Sequence, residues 1–353
     1  MLIAAFVLQL LSIGLVPANP YGTLRAQALV AFQEKRYADA LRLFNASIDD
    51  IKGQGLANTQ VAVVLNDLGL TYQRMRRLSE AESKFQEARA LYQSEPEARR
   101  ELIVVVTNLG TLYADTGQYA HSGECFNQSL KIAKKVLSPD DVLFGTIFVG
   151  LAADRFRKGN YRSAQKYLEQ ALPIRQKGLG ENHPDVAEVL NNLGVAQRKT
   201  KDYDKAVSNF LRARSIFERS SRSNPLDLAN VLNNLGVAYH LMKKPAAEAE
   251  AVLRDAVEIY RKNLTVDQSG LPTALFDLAV VLLDDARPLE AEGLLKEAVA
   301  RRAALKHRVE DADADAYEEY ALALKRNGRV GDATVAEERA KSMRSQLRFM
   351  LRP

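Results

Sequence analysis

The chain has 353 residues, 47% hydrophobic and 26% charged, an ordinary composition for a soluble protein. Ala and Leu abound, Gly and Pro are sparse and Trp is absent, which favours helices over the alternating β-branched and aromatic pattern of strands. Forty-nine cations against 44 anions give +5 without a polybasic block, which argues against a nucleic-acid partner, and one cysteine, Cys125, excludes an internal disulfide.

The N-terminus comes first. Leu2 to Val16 are apolar apart from Gln9 and Ser12, too short a run to span a bilayer comfortably but a match to a secretory signal core. Val16-Pro17-Ala18 places small or apolar residues where cleavage after Ala18 requires them. Residues 1–18 are therefore expected to be a signal peptide, the protein exported or periplasmic, and the mature chain free of a transmembrane span. No Lys or Arg precedes the apolar run, so an uncleaved membrane anchor and a cytoplasmic protein stay open.

From residue 19 to 334 a unit of about 42 residues recurs eight times. Each unit has a Gly or Ala anchor: Ala28, Gly69, Gly110, Ala152, Gly194, Gly236, Ala279 and Ala321. A small residue follows (Ala40, Ala81, Ser122, Ala164, Ala206, Ala249, Ala291, Ala333), then a large one such as Phe44, Phe85, Phe126 or Phe210. In the eighth unit Glu337 takes that large slot. Spacings of three and four residues within each half predict two antiparallel helices, A and B, whose small anchor lets B approach A closely. Gly117, Gly159 and Gly328 fall in the turns, where a left-handed C-cap suits glycine. A fixed period of this size predicts an all-α, right-handed solenoid of eight helix pairs, with residues 335–353 as a C-terminal capping helix. The basic run Arg339, Lys341, Arg344, Arg348 and Arg352 fits a solvated last helix.

The register Gly194, Tyr203, Ala206, Phe210, Ala213 resembles the tetratricopeptide repeat (TPR), and all eight units carry it. The usual period is about 34 residues; the extra eight fall between the helix B stripe and the next anchor. The stretch ALPIRQKGLGENHPDVAEVLNNLG, ending at Gly194, resembles the long repeats of kinesin light chains. HEAT-type pairs share the length but not this register. The resemblance implies an interaction scaffold and covers repeat architecture only, with no motor role.

Catalytic chemistry is hard to find. The histidines at 121, 183, 240 and 307 have no partner at metal-ligand spacing, and no phosphate loop or nucleophile elbow occurs. His183 precedes a helix and reads as an aid to its start. The acidic run from Val309 to Asp315 reads as a solvated helix start; it lacks the glycine turn and terminal Glu of a calcium loop. No catalytic residue, metal or cofactor is expected.

The candidate site is instead on helix A, three and two positions before the anchor. By the resemblance, Asn66, Asn108, Asn191, Asn192, Asn233 and Asn234 are the candidates for holding a partner's backbone, since a carboxamide both donates and accepts. Bonding between adjacent repeats is the alternative role. The fourth unit, with Val149-Gly150 there, is expected to interrupt the series. Beyond the anchor, Arg74, Arg157, Arg198 and Lys199 would line the groove with positive charge and favour an acidic peptide. The expected function is thus a non-catalytic adaptor, centred on units five and six; an accessory module of an envelope-associated enzyme or transferase complex is the alternative.

Overall fold

The computed structural model describes residues 21–220, 223–264, 269–305 and 310–350. The expected signal peptide, His307 and Arg352 lie outside them. The described residues form sixteen α-helices and no strand. Odd-numbered helices are the A helices and even-numbered ones the B helices: α1 (Tyr21–Gln33) with α2 (Tyr37–Gly53), α3 (Asn58–Arg74) with α4 (Leu78–Gln93), α5 (Arg99–Asp115) with α6 (Tyr119–Val136), and α7 (Val142–Arg157) with α8 (Tyr161–Leu179). Then come α9 (Pro184–Lys199) with α10 (Tyr203–Arg219), α11 (Pro225–Leu241) with α12 (Ala246–Lys262), α13 (Gly270–Asp284) with α14 (Pro288–Ala304), and α15 (Asp311–Arg326) with α16 (Val330–Met350).

The chain divides into two compact units, one ending at Glu181 and the other starting at Asn182, each with four helix pairs. Within each unit every B helix packs against its own A helix and, except for the last one, against the A helix that follows, and successive A helices also touch, as α3 with α5 and α9 with α11. The expected boundary at residue 335 falls inside α16, which runs unbroken from Val330. The reason is that Ala333, Ala336 and Ala340 of α16 are buried, so one apolar stripe carries the helix past that point.

The small anchors do what their size predicts. A Cβ on Gly194 would stand 2.6 Å from Phe210 Cε1, so the phenylalanine ring occupies the space that glycine leaves open. Cys125 is buried, as expected, and burial pushes its thiol up to about 11.

The turns hold a regularity beyond the three glycines. The residue seven after the anchor has positive φ in all eight repeats: Lys35, Arg76, Gly117, Gly159, Lys201, Lys243, Ala286 and Gly328. Five side chains thus adopt a backbone that favours glycine, because the reversal from A to B fixes the conformation at that point.

Helix starts are capped locally. Asp141 and Asn224 accept from Leu143 and Leu226 backbone N–H groups at 3.0 and 3.1 Å. His183 Nδ1 accepts from the Asp185 N–H at 3.2 Å, the structural role expected of it. The Glu310 N–H donates to Asp313 Oδ2 at 2.7 Å, so the acidic run opens α15.

Candidate functional site

The polar residues before each anchor meet across repeats in one register. The residue three before an anchor bonds to the residue two before the next anchor. Arg25 Nε donates to Asp67 Oδ2 at 2.8 Å, and Asn108 Nδ2 donates to Asn66 Oδ1 at 2.9 Å. In the second unit, Asn234 Nδ2 donates to Asn191 Oδ1 at 3.0 Å and Asn233 Nδ2 donates to Asp277 Oδ2 at 2.7 Å. This ladder joins successive A helices, and it employs five of the six candidate asparagines.

Asn66, Asn108, Asn233 and Asn234 are at most 3% exposed, so the peptide contact expected of them gives way to contact between repeats. The physical reason is that touching A helices leave no room for water or ligand between those positions, and a buried carboxamide has to bond its neighbour. Asn191 is half-buried and shares its oxygen with Asn234. Asn192 is half-buried too, and its carboxamide has no hydrogen bond among the described residues.

The ladder lapses where the sequence lacks its partners. Gly150 stands in the acceptor position opposite Thr107, whose hydroxyl turns to Ser129 Oγ at 3.0 Å. A Cβ at Gly150 would collide with the Phe126 ring, which excludes any side chain there. The ladder between repeats is therefore interrupted at Gly150, the position where the sequence lacks a polar side chain. A second gap separates Phe276 on α13 from Glu319 on α15.

A parallel ladder lies beyond the anchors. Gln73 Nε2 donates to Asp115 Oδ2 at 2.9 Å, and His240 Nε2 stands 3.3 Å from Asp284 Oδ2. Arg326 Nη1 donates to the Leu283 carbonyl at 2.5 Å. The first ladder is the alternative role that the sequence left open for the asparagines; the second was missed, although the signal was there: complementary side chains recur one period plus one residue apart.

The candidate cations fall in two groups. In the first unit Arg74 is exposed, and Arg157 is exposed with its guanidinium 4.1 Å above the Tyr119 ring. Burial raises the Asp115 carboxyl above the usual carboxylate range, against the opposing pull of Gln73, Arg76 and Arg157. In the second unit Arg198 is half-buried and Lys199 exposed on the last turn of α9. Burial, then the charge of Arg198, lowers the Lys199 ammonium. Burial also raises Asp277 to about 6, opposed by its bond from Asn233 and by Arg198 and His240.

One residue after each anchor of the second unit stands a half-buried or exposed aliphatic: Val195, Val237, Val280 and Leu322. They sit on α9, α11, α13 and α15, and each of these A helices touches the next. The row is therefore shared by four neighbouring helices, with Asn192 and Lys199 one turn to either side of Val195. Among the described residues, no group of three or more His, Cys, Asp or Glu could hold a metal ion. No described helix is long and apolar enough to cross a membrane.

Paired helices on a small-residue anchor, repeated with polar ladders between them, define a helical-repeat protein. The tetratricopeptide repeat profile matches residues 21–94, 143–219 and 227–304, and a second tetratricopeptide profile matches 105–136. The chain belongs to the tetratricopeptide repeat family. No curated protein matches it. Among solved structures, apo RapI is 14% identical, with a TM-score of 0.62 over 82% of this chain and 99% of RapI. The apo quorum sensor NprR from B. thuringiensis is 12% identical, with a TM-score of 0.59 over 91% of this chain and 97% of NprR. TPR-like repeats of a putative kinesin light chain from Podosopora anserina are 21% identical over 57% of this chain and 94% of theirs, with a TM-score of 0.47. At these identities the likeness shows the fold alone.

Proposed function

We propose that the protein is a non-catalytic adaptor whose A helices α9, α11, α13 and α15 hold an extended segment of another protein. The observation that carries this reading is the row Val195, Val237, Val280 and Leu322, left accessible beside Asn192, which has no hydrogen bond among the described residues, while Asn191, Asn233 and Asn234 are taken by the ladder. An aliphatic row gains by burial, at about 25 cal/mol per Å² of apolar surface. A carboxamide beside it bonds both backbone groups of an extended chain without reading its side chains. The Arg198 and Lys199 pair at the end of α9 favours a carboxylate there, so the segment is acidic at that end. The family's usual role in protein association agrees with this reading.

Affinity capture tests it. Wild type is compared with an Asn192→Ala/Val237→Asp variant whose circular dichroism and melting are unchanged. The variant should lose the captured partner; identical partners and recoveries from both would defeat the groove. Export is a separate proposal resting on residues 1–18, and N-terminal sequencing of the mature protein decides it, since an intact Met1 sinks it.

A further inference from the structure

We infer that the outer face of α6 and α8 in the first unit, with the loop from α6 to α7, docks on a bilayer of anionic lipids. α6 and α8 are successive B helices, and α7 packs against both. Phe126, Ser129 and Ala133 of α6, and Ala164, Leu168 and Ala171 of α8, are buried, which turns the opposite stripe of each helix to solvent. Those stripes carry Lys131, Lys134 and Lys135 on α6, and Arg162 and Lys166 on α8. All five are exposed, and none pairs with a carboxylate among the described residues. The acids of the two stripes are Glu124 and Glu169, and Glu169 accepts from Gln165 Nε2 at 2.8 Å.

This placement works against the helices themselves. Lys131 with Lys135, and Arg162 with Lys166, are like charges four residues apart, a spacing at which they repel. Other B helices use the same spacing for opposite charges: Arg254 with Glu250, Lys262 with Glu258 and Arg301 with Glu297. Lys134 and Lys135 suit the C-terminal dipole of α6. Arg162 is in the first turn of α8, where the dipole disfavours a cation and no acid offsets it. An anionic surface outside the chain relieves both costs.

The loop adds an apolar corner. Val136 follows Lys135 at the end of α6 and is 48% exposed, and Val142 opens α7 at 42%. A Cβ on Gly178 of α8 would stand 2.8 Å from Val142 Cγ1, so the corner adjoins α8 as well. Asp140 and Asp141 of the loop are already paired, with Lys177 and Arg100. Aliphatic tips beside lysines fit the boundary of headgroups and acyl chains, since the long lysine stems keep their ammonium groups at the phosphates. An acidic protein segment or a nucleic acid fits less well. The main-chain groups of this face are bonded within α6 and α8, and four of its five cations are lysines. A lysine is a point charge on a flexible stem, without the fork that reads a carboxylate or phosphate through two bonds.

The test is flotation of the full chain with vesicles of phosphatidylcholine alone, and of equal parts phosphatidylcholine and phosphatidylglycerol. Wild type should float with the anionic vesicles only, and less as salt is raised. Each Lys or Arg near an anionic leaflet gives about a fivefold gain in partitioning, so Lys131→Gln/Lys134→Gln/Lys135→Gln should lose about a hundredfold. By the same measure Arg162→Gln/Lys166→Gln should lose about twenty-five-fold, with circular dichroism and melting unchanged in both variants. The chain has no Trp, so Val136→Trp supplies a single reporter. Its emission should shift to the blue on anionic vesicles, whereas that of Leu289→Trp on α14 should not. Equal binding to neutral vesicles, as residues 1–18 alone would give, or equal binding by wild type and both glutamine variants, would overturn the inference. Binding of poly-glutamate or duplex DNA without binding of anionic vesicles would assign the face to that polymer and overturn it too. An unshifted Val136→Trp would remove the loop from the contact. None of these outcomes bears on the groove of the second unit.

Discussion

Asn108 on α5 donates to Asn66 on α3 at 2.9 Å across 42 residues of sequence, with both side chains at most 2% exposed. The same offset, one period plus one residue, links Asn234 to Asn191, where the acceptor is half-buried. The two bonds therefore differ in what their loss exposes. Asn108→Ala leaves Asn66 Oδ1 buried without a donor and should cost about 1–3 kcal/mol. Asn234→Ala leaves Asn191 within reach of water and should cost less than half as much. Urea unfolding with the m-value held constant measures both; equal losses would show that burial does not set the ladder's strength.

The Arg25–Asp67 pair makes a pH-dependent prediction. Burial raises Asp67 from 3.8 to about 6 in spite of Arg25. Because the folded value is above the unfolded one, the associated stability is full below about pH 4 and is lost as pH rises through about 6. Removing the arginine leaves a buried carboxylate uncompensated, a loss of about 3–5 kcal/mol where it is ionised. Arg25→Met should thus be mild at pH 4.5 and severe at pH 7.5. A loss independent of pH would mean that the arginine acts through packing alone.

Gly194 makes a steric prediction. Alanine improves helix propensity by about 1 kcal/mol, but a Cβ there would stand 2.6 Å from the Phe210 ring. Overpacking costs about 1–3 kcal/mol, so Gly194→Ala should destabilise on balance. In a Phe210→Leu background the alanine should be tolerated better, and the double-mutant cycle reads the coupling directly. Additive losses would separate the glycine from the ring.

Ala286 offers the opposite sign. Its φ of 56° is in the left-handed region, in the slot that Gly117, Gly159 and Gly328 fill in other repeats. A left-handed residue costs about 1–2 kcal/mol, of which the greater freedom of unfolded glycine returns roughly half. Ala286→Gly should raise stability by about 0.5–1 kcal/mol in the same urea assay. A decrease would show that the turn holds alanine without strain.

Most of the fold was legible because it is periodic. Phe210 and Gly194 are local enough in sequence for a small-to-large pattern to announce their contact, and eight copies of that pattern determine sixteen helices. The candidate site was legible only in outline. The row of asparagines was visible, but a carboxamide looks the same in sequence whether it faces a ligand or the next helix.

By itself, then, the sequence determined the helix pairs, their small anchors, the turn glycines and the lack of a polar side chain at Val149-Gly150, all of which follow from spacing along one chain. Only the tertiary structure decided which polar groups remain for a partner. Stacking shifts each A helix by one residue against the next, so Asn66 meets Asn108 and Asn191 meets Asn234, while Asn192 has no hydrogen bond among the described residues. That shift is a property of how helices pack against each other, and no single repeat contains it.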